Sequence, residues 1–400
     1  MQKTLVLSLA GVALTPVAVP ALGIRVFDQD PAAIARGNAF VATADNPSAI
    51  YYNPAAITAL PGQQALTGGN LVSLTDTYRS AAGMKFETED QLHVLPQLYY
   101  TYSPSQLPLS FGLGVYTPFG LGFEWPDQVP FRQLSIEGRM TYLTANPVVA
   151  WKITDRLSIG GGVMVNYGDT TLTQGLTPAG FGPPGNRLRF EGDGFGVGFN
   201  AGIHWRVNDQ HALGVAYRSQ NRIDFSGTSD VNFPAAFSQD ASAEFQFPDI
   251  VTVGYSFRPT PRWNLEVNVD WTNWDQLNTV TFEQSVTGNV ARPFNWRSSF
   301  IYMVGASYLF DGNWTVSGGY IFSENSIPDE SFNPGIPDSD RHVFSVGVNK
   351  RFDRITLGAA FQYGYGPERT INRPPGPGAP ANGRYEFESF ALSLSGGYRF

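Results

Sequence analysis

The chain has 400 residues, 15% of them charged and 14% aromatic, with 43 glycines and no cysteine. The missing cysteines exclude a disulfide framework and a thiolate metal site, and a net charge of -8 argues against the basic patch that a nucleic-acid partner needs. The length suits one large barrel better than one soluble domain, and the charged fraction is well under the quarter usual for globular proteins.

Residues 1–21 read as a secretory signal, with Lys3 ahead of the apolar run TLVLSLAGVALTPVAV and Val19-Pro20-Ala21 suited to cleavage. The alternative is an N-terminal membrane helix, but Pro16 and Pro20 break the run and it is short for a span. No later stretch approaches twenty apolar residues, so the mature chain is either a barrel or an exported soluble protein.

Residues 22–62 do not alternate. Asp30-Pro31, Asn46-Pro47 and Asn53-Pro54 each place a capping side chain before a proline, which predicts three helical turns. This apolar, small-residue segment is expected to fill the lumen as a plug, the other reading being a periplasmic extension.

From residue 63 to 400 alternation dominates. In WNLEVNVDW, Trp263, Leu265, Val267, Val269 and Trp271 share one face and Asn264, Glu266, Asn268 and Asp270 the other, since successive side chains of a strand point to opposite sides. Fourteen such segments run from 64–74 to 385–400. Short connections such as KITDR, VNDQ and FDR alternate with long ones such as 118–139 and 324–340. Many rows end in Trp, Tyr or Phe, and the chain ends ALSLSGGYRF. Together these predict an all-β fold, a 14-stranded antiparallel transmembrane barrel with aromatic girdles. The apolar rows then face lipid, while Glu266 and Asp270 face a wet lumen.

DNPSAIYYNPAAITAL resembles the plug of the FadL family, the outer-membrane long-chain fatty-acid and hydrocarbon transporters of Gram-negative bacteria. Later stretches match in order, among them VYTPFGLGFEW, FEGDGFGVGFNAGIHWRVND and FPDIVTVGYSFRPTPRWNLEVNVDWTNWDQ, so the likeness covers the mature chain. The resemblance implies capture of a hydrophobic molecule by the outer loops, passage to a pocket in the barrel, release by plug movement, and sideways exit through an inward kink of the third strand. No cofactor is implied. The partners implied are fatty acids or hydrocarbons, with outer-membrane lipid and lipopolysaccharide around a single barrel.

The family's gating motif falls on Asn53, Pro54 and Ala55; the plainer reading is a capped turn. In SFGLGVYTPFGLGF, Gly112, Gly114, Pro118 and Gly120 are the residues expected at the kink, since proline removes a ladder donor and glycine permits a bend. The alternative is that Pro118 ends the strand. Leu176, Phe181, Phe233 and Phe237 are loop residues placed for capture. Arg187, Arg189 and Arg218 are candidates for holding a carboxylate, which leaves an acid or an uncharged aromatic or alkane hydrocarbon as the substrate.

Other readings have less behind them. His93, His204, His211 and His342 lack ligand spacing, so no metal site is expected. A general porin would need an open lumen. An outer-membrane lipid hydrolase would need a serine and histidine pair near the membrane boundary, and none stands out.

Overall fold

The structure, a computed structural model, describes residues 24–400; the expected signal, 1–21, lies outside the described residues. Fourteen antiparallel strands follow one another around a closed barrel, as the alternation predicts. They are β1 (Gly62–Ser80), β2 (Gln91–Ser103), β3 (Leu109–Tyr116, resuming as Gly120–Glu124), β4 (Glu137–Lys152), β5 (Leu157–Gly175) and β6 (Arg187–Arg206). Next come β7 (His211–Arg218 and Asn221–Val231), β8 (Phe237–Phe247 and Ile250–Phe257), β9 (Trp263–Thr272 and Thr279–Gln284) and β10 (Val290–Pro293 and Ser299–Phe310). The last four are β11 (Trp314–Ser323), β12 (Arg341–Arg351), β13 (Ile355–Ile371) and β14 (Gly383–Arg399). Residues 64–80 of β1 pair with 383–399 of β14, so the sheet has no free edge there.

On β9, Trp263, Leu265, Val267 and Val269 are 43, 39, 48 and 42% exposed, against 8, 1, 2 and 1% for Asn264, Glu266, Asn268 and Asp270. The apolar face is outside. The expectation of a wet inner face fails at Glu266 and Asp270, because residues 24–61 fill this part of the lumen and bind both carboxylates. Tyr308, Phe310, Trp314 and Phe400 stand on the lipid face at the short-turn end, and Phe195, Phe300, Tyr302 and Phe390 toward the long-loop end, as interfacial anchors do.

Toward the long-loop end the apolar row changes sides. Leu213 and Val215 of β7 face lipid, yet Ile223 and Phe225, also odd-numbered, are buried in the lumen. An extra residue at Ser219-Gln220 shifts the register against β6 and reverses the pleat. β8 does the same around Pro248-Asp249, with Val253 outside and Phe245 and Phe247 inside. The barrel is therefore greasy outside within the membrane and greasy inside above it.

The plug contains a helical turn α1 (Pro31–Ile34), a second turn α2 (Ala49–Tyr52) and a 3-10 turn at Pro54–Ala59. Asp30 and Asn53 cap the first and third, as their Asp-Pro and Asn-Pro pairs predict. The second starts at Ala49, with Ser48 and not Asn46 at its cap position, because the Asn46 Oδ1 atom accepts from the Ser48 backbone N–H at 2.9 Å in a preceding turn.

Candidate functional site

Backbone and side chains of the plug bind the wall around much of the barrel. Asn53 Nδ2 donates to the carbonyls of Val41 at 2.9 Å and Ile203 at 3.0 Å, and its Oδ1 accepts from the Ala55 N–H at 3.2 Å. Ala42 N–H donates to Glu266 at 2.8 Å, the Thr43 hydroxyl bonds the same carboxylate, and His204 Nε2 bonds the Ala42 carbonyl at 2.9 Å. Asn200 Nδ2 donates to the Ile50 carbonyl at 3.1 Å. Several inward-facing glycines make these approaches possible. A Cβ at Gly202 would overlap Asn53 Oδ1, one at Gly214 the Val41 carbonyl and one at Gly305 the Arg36 carbonyl.

The third strand breaks at residues 117–119. Its first part pairs with both neighbours, Phe111–Val115 against Leu98–Tyr102 and Leu109–Tyr116 against Thr144–Trp151. Its second part pairs only with β4, Gly120–Glu124 against Glu137–Thr141, and Gly120, Leu121, Gly122 and Phe123 are all buried. Three residues of β3 oppose two of β4 at the break, a bulge that bends the strand inward. Residues 92–97 of β2 consequently have no ladder to β3. At the outer end Glu89 N–H reaches the Glu124 carbonyl at 2.8 Å.

The start of the plug replaces part of the lost pairing. Val26 N–H donates to the Pro118 carbonyl and Gly120 N–H to the Ile24 carbonyl, both at 2.8 Å. Gln29 Nε2 donates to the Thr117 carbonyl at 2.8 Å. This short ladder forms a partition. Ile24 packs in the large apolar cluster with Phe119, Leu121 and Phe247, whereas Val26 packs in a second one with Leu95, Val72, Leu74 and Phe387.

Above the plug lies a chamber of about 370 Å³, lined by Leu121, Phe123, Leu172, Phe190, Phe282, Phe294, Trp296 and Phe332 among others. That falls within the roughly 300–1,000 Å³ of small-molecule pockets. The segments 125–136 and 324–340 fold over it, joined where Trp125 Nε1 donates to the Pro334 carbonyl at 2.9 Å. Two cations line the chamber, Arg292 and Arg373. Among the described residues neither lies within ion-pair distance of a carboxylate. Arg292 donates to the Gln174 side chain at 2.9 Å. Arg373 donates to the Phe332 carbonyl at 3.1 Å, its Nε has no partner, and burial lowers its pKa.

The residues singled out from sequence fall in several places. Asn53, Pro54 and Ala55 form the capped turn docked on β5 and β6. Pro118 and Gly120 lie at the third-strand break, but Gly112 and Gly114 lie in its regular part, where they seat Ile50 of the plug. Phe181 and Phe237 are exposed and Leu176 and Phe233 half-buried at the rim, none of them lining the chamber. Arg187 and Arg189 pair with Asp127 at 3.8 Å and Glu191 at 2.5 Å, in a separate open groove that includes Phe237. Arg218 lies below the chamber beside the plug, donating to the Tyr51 carbonyl at 3.1 Å with its guanidinium 4.2 Å from the Tyr51 ring. Sequence reasoning missed Arg292 and Arg373, whose nearest signal was a lone cation within an apolar stretch, VARPFNW and TINRPP. It also missed Arg25, whose partner Asp270 is 245 residues away.

A closed barrel with a docked plug and an apolar outer chamber defines an outer-membrane transporter of hydrophobic molecules. Residues 12–400 match the family described as Outer membrane protein transport protein (OMPP1/FadL/TodX), and the chain belongs to that family. The Long-chain fatty acid transport protein of Shigella flexneri is 23% identical over 396 residues, covering 87% of this chain and 86% of its own. Outer membrane protein P1 of Haemophilus influenzae is 22% identical over 378 residues, covering 81% and 82%. Among solved structures, a Pseudomonas aeruginosa FadL homologue superposes with a TM-score of 0.83 at 20% identity, covering 94% of this chain and 99% of that one. The Pseudomonas putida toluene transporter TodX superposes at 0.76 and 18% identity, covering 95% and 100%. At such identities the structural likeness establishes the fold. The family places the chain in the Gram-negative outer membrane as a transporter of fatty acids or aromatic hydrocarbons and not an enzyme. The porin and hydrolase alternatives fall with it.

Proposed function

We propose that this barrel takes up long-chain fatty acids without an energy source. The acid is caught among the outer loops, held in the chamber, and released sideways between β2 and β3 when the plug moves. The observation that carries this reading is the apolar chamber with Arg292 and Arg373 lacking carboxylate partners. Each methylene moved from water into such a chamber gains about 0.8 kcal/mol, and a guanidinium matches a carboxylate head group. The partition of residues 24–26 and 118–120 lies between the chamber and the unpaired edge of β2, so its displacement would join the two. A mostly apolar lining also suits uncharged aromatic or alkane hydrocarbons, the second reading.

The test is uptake of labelled oleate by cells lacking their own fatty-acid porin, with toluene as competitor. Thr58 Oγ1 of the plug lies 2.7 Å from Ser158 Oγ of β5, and the chain has no native cysteine. The double variant T58C/S158C is expected to lose uptake when oxidised and recover it on reduction. Full uptake by the crosslinked protein would refute displacement of the Pro54–Ala59 turn. Absence of oleate uptake by correctly inserted wild type would sink the fatty-acid assignment and favour uncharged hydrocarbons.

A further inference from the structure

We infer that the buried ion pair between Arg25 and Asp270 is a catch that holds the partition closed, which makes both positioning residues for lateral release. Arg25 is the only charged side chain of the 24–26 segment, and its backbone forms the bridge to Phe119. Its guanidinium reaches across the lumen to β9. Nη1 donates to Asp270 Oδ1 at 2.5 Å and to Thr272 Oγ1 at 2.6 Å, and Nη2 donates to Asp270 Oδ2 at 2.8 Å. The Asp270 carboxylate is held in turn by the Thr252 hydroxyl at 2.7 Å and the Thr272 hydroxyl at 3.1 Å. The two side chains are 4 and 1% exposed. A paired bidentate contact in this setting is strong, and removing one partner leaves the other charge buried and uncompensated.

The segment's other polar ties are few, although Ile24 and Val26 are buried in the two apolar clusters and the Val26 carbonyl accepts from Gln29 Nε2 at 3.1 Å and the Tyr51 hydroxyl at 3.4 Å. Its ladder with β3 consists of two backbone hydrogen bonds, and so short a pairing is marginal by itself. The ion pair therefore ties the partition to a rigid wall strand on a side away from the opening. A cavity of about 30 Å³, room for about one water molecule, borders Arg25, Asp270 and Arg218. The inference rests on the lateral route proposed above, since it assigns a lock to that route.

The experiment uses a reporter cysteine at Val26, introduced as V26C into the full barrel in proteoliposomes, and measures its rate of modification by N-ethylmaleimide. Asp270→Asn and Arg25→Gln are each expected to raise that rate about tenfold or more, as expected from breaking a buried pair. A second reporter, I57C, sits in the Pro54–Ala59 turn and is buried; its rate should stay unchanged, which separates local opening from general loosening. Should the charge variants fail to insert, Thr272→Val removes one hydrogen bond of Arg25 and no charge, and gives the same effect at smaller amplitude. Unchanged V26C modification in the inserted variants overturns the catch, whatever uptake does. So does an equal rise at both reporters. A rise confined to V26C with unaltered oleate uptake keeps the catch and overturns the lateral route instead.

Discussion

The contact between Asn53 and the wall provides a quantitative test of how the plug is seated. Asn53→Ala removes a helix cap, costing about 1 kcal/mol. It also takes one donor from each of two carbonyls, the buried Val41 and the part-buried Ile203, at about 1 kcal/mol each. The sum, about 3 kcal/mol, corresponds to roughly a hundredfold shift in the opening equilibrium of the turn. Gly202→Ala attacks the same contact from the wall, because its methyl would occupy the position of Asn53 Oδ1. In the double variant the methyl fills the space the asparagine has vacated, so the two losses should fall short of additive by about 1–3 kcal/mol. Hydrogen exchange of the amides of residues 55–60, followed by mass spectrometry in lipid nanodiscs, reads each term. Less than a threefold change in N53A, or strict additivity in the double variant, would refute the reasoning.

Arg292→Met should lower oleate affinity about tenfold or more, since one charge-assisted hydrogen bond is worth about 1.5–3 kcal/mol, and should leave toluene binding intact; equal loss of both ligands would remove the carboxylate role. Asp30 caps α1 and faces the periplasmic vestibule with Arg36, Asp45 and Asn46. Burial raises its pKa to about 6, against the opposing effects of its bond from Asn46 and the charge of Arg36. A raised carboxylate pKa stabilises the docked plug fully below the ordinary value near 3.8 and loses that contribution as pH rises through about 6. Exchange of the plug amides, corrected for intrinsic rates, should therefore be slower at pH 5 than at pH 7.5. Burial raises the Asp28 pKa to about 6 as well, so Asp30→Asn should reduce the difference without abolishing it, and a variant retaining the full pH dependence would assign it to other groups.

The legible parts of this protein are those with a short-range cause. Alternation in WNLEVNVDW required a lipid face and an inner face, and Asp30 and Asn53 announced their turns because a cap acts within three residues. The glycine rows were legible as an inner face but not as seats. Nothing local reveals that Gly202 accommodates Asn53 or that Gly214 accommodates the Val41 carbonyl. The chamber was hidden for a related reason. In ALGVAYRSQNRIDF the apolar positions keep one parity from Leu213 to Phe225, which reads as one face; the bulge at Ser219-Gln220 turns the second half over.

The sequence by itself determined a capped plug segment, an even-stranded barrel and which side of its membrane belt meets lipid, because pleat, caps and turns act between near neighbours. Only the tertiary structure decided where β3 leaves the wall, which carboxylate receives Arg25, and which arginines reach the apolar chamber. Those outcomes depend on pairing between residues up to hundreds of positions apart. A one-residue bulge suffices to reverse what a strand presents, and periodicity alone carries no mark of it.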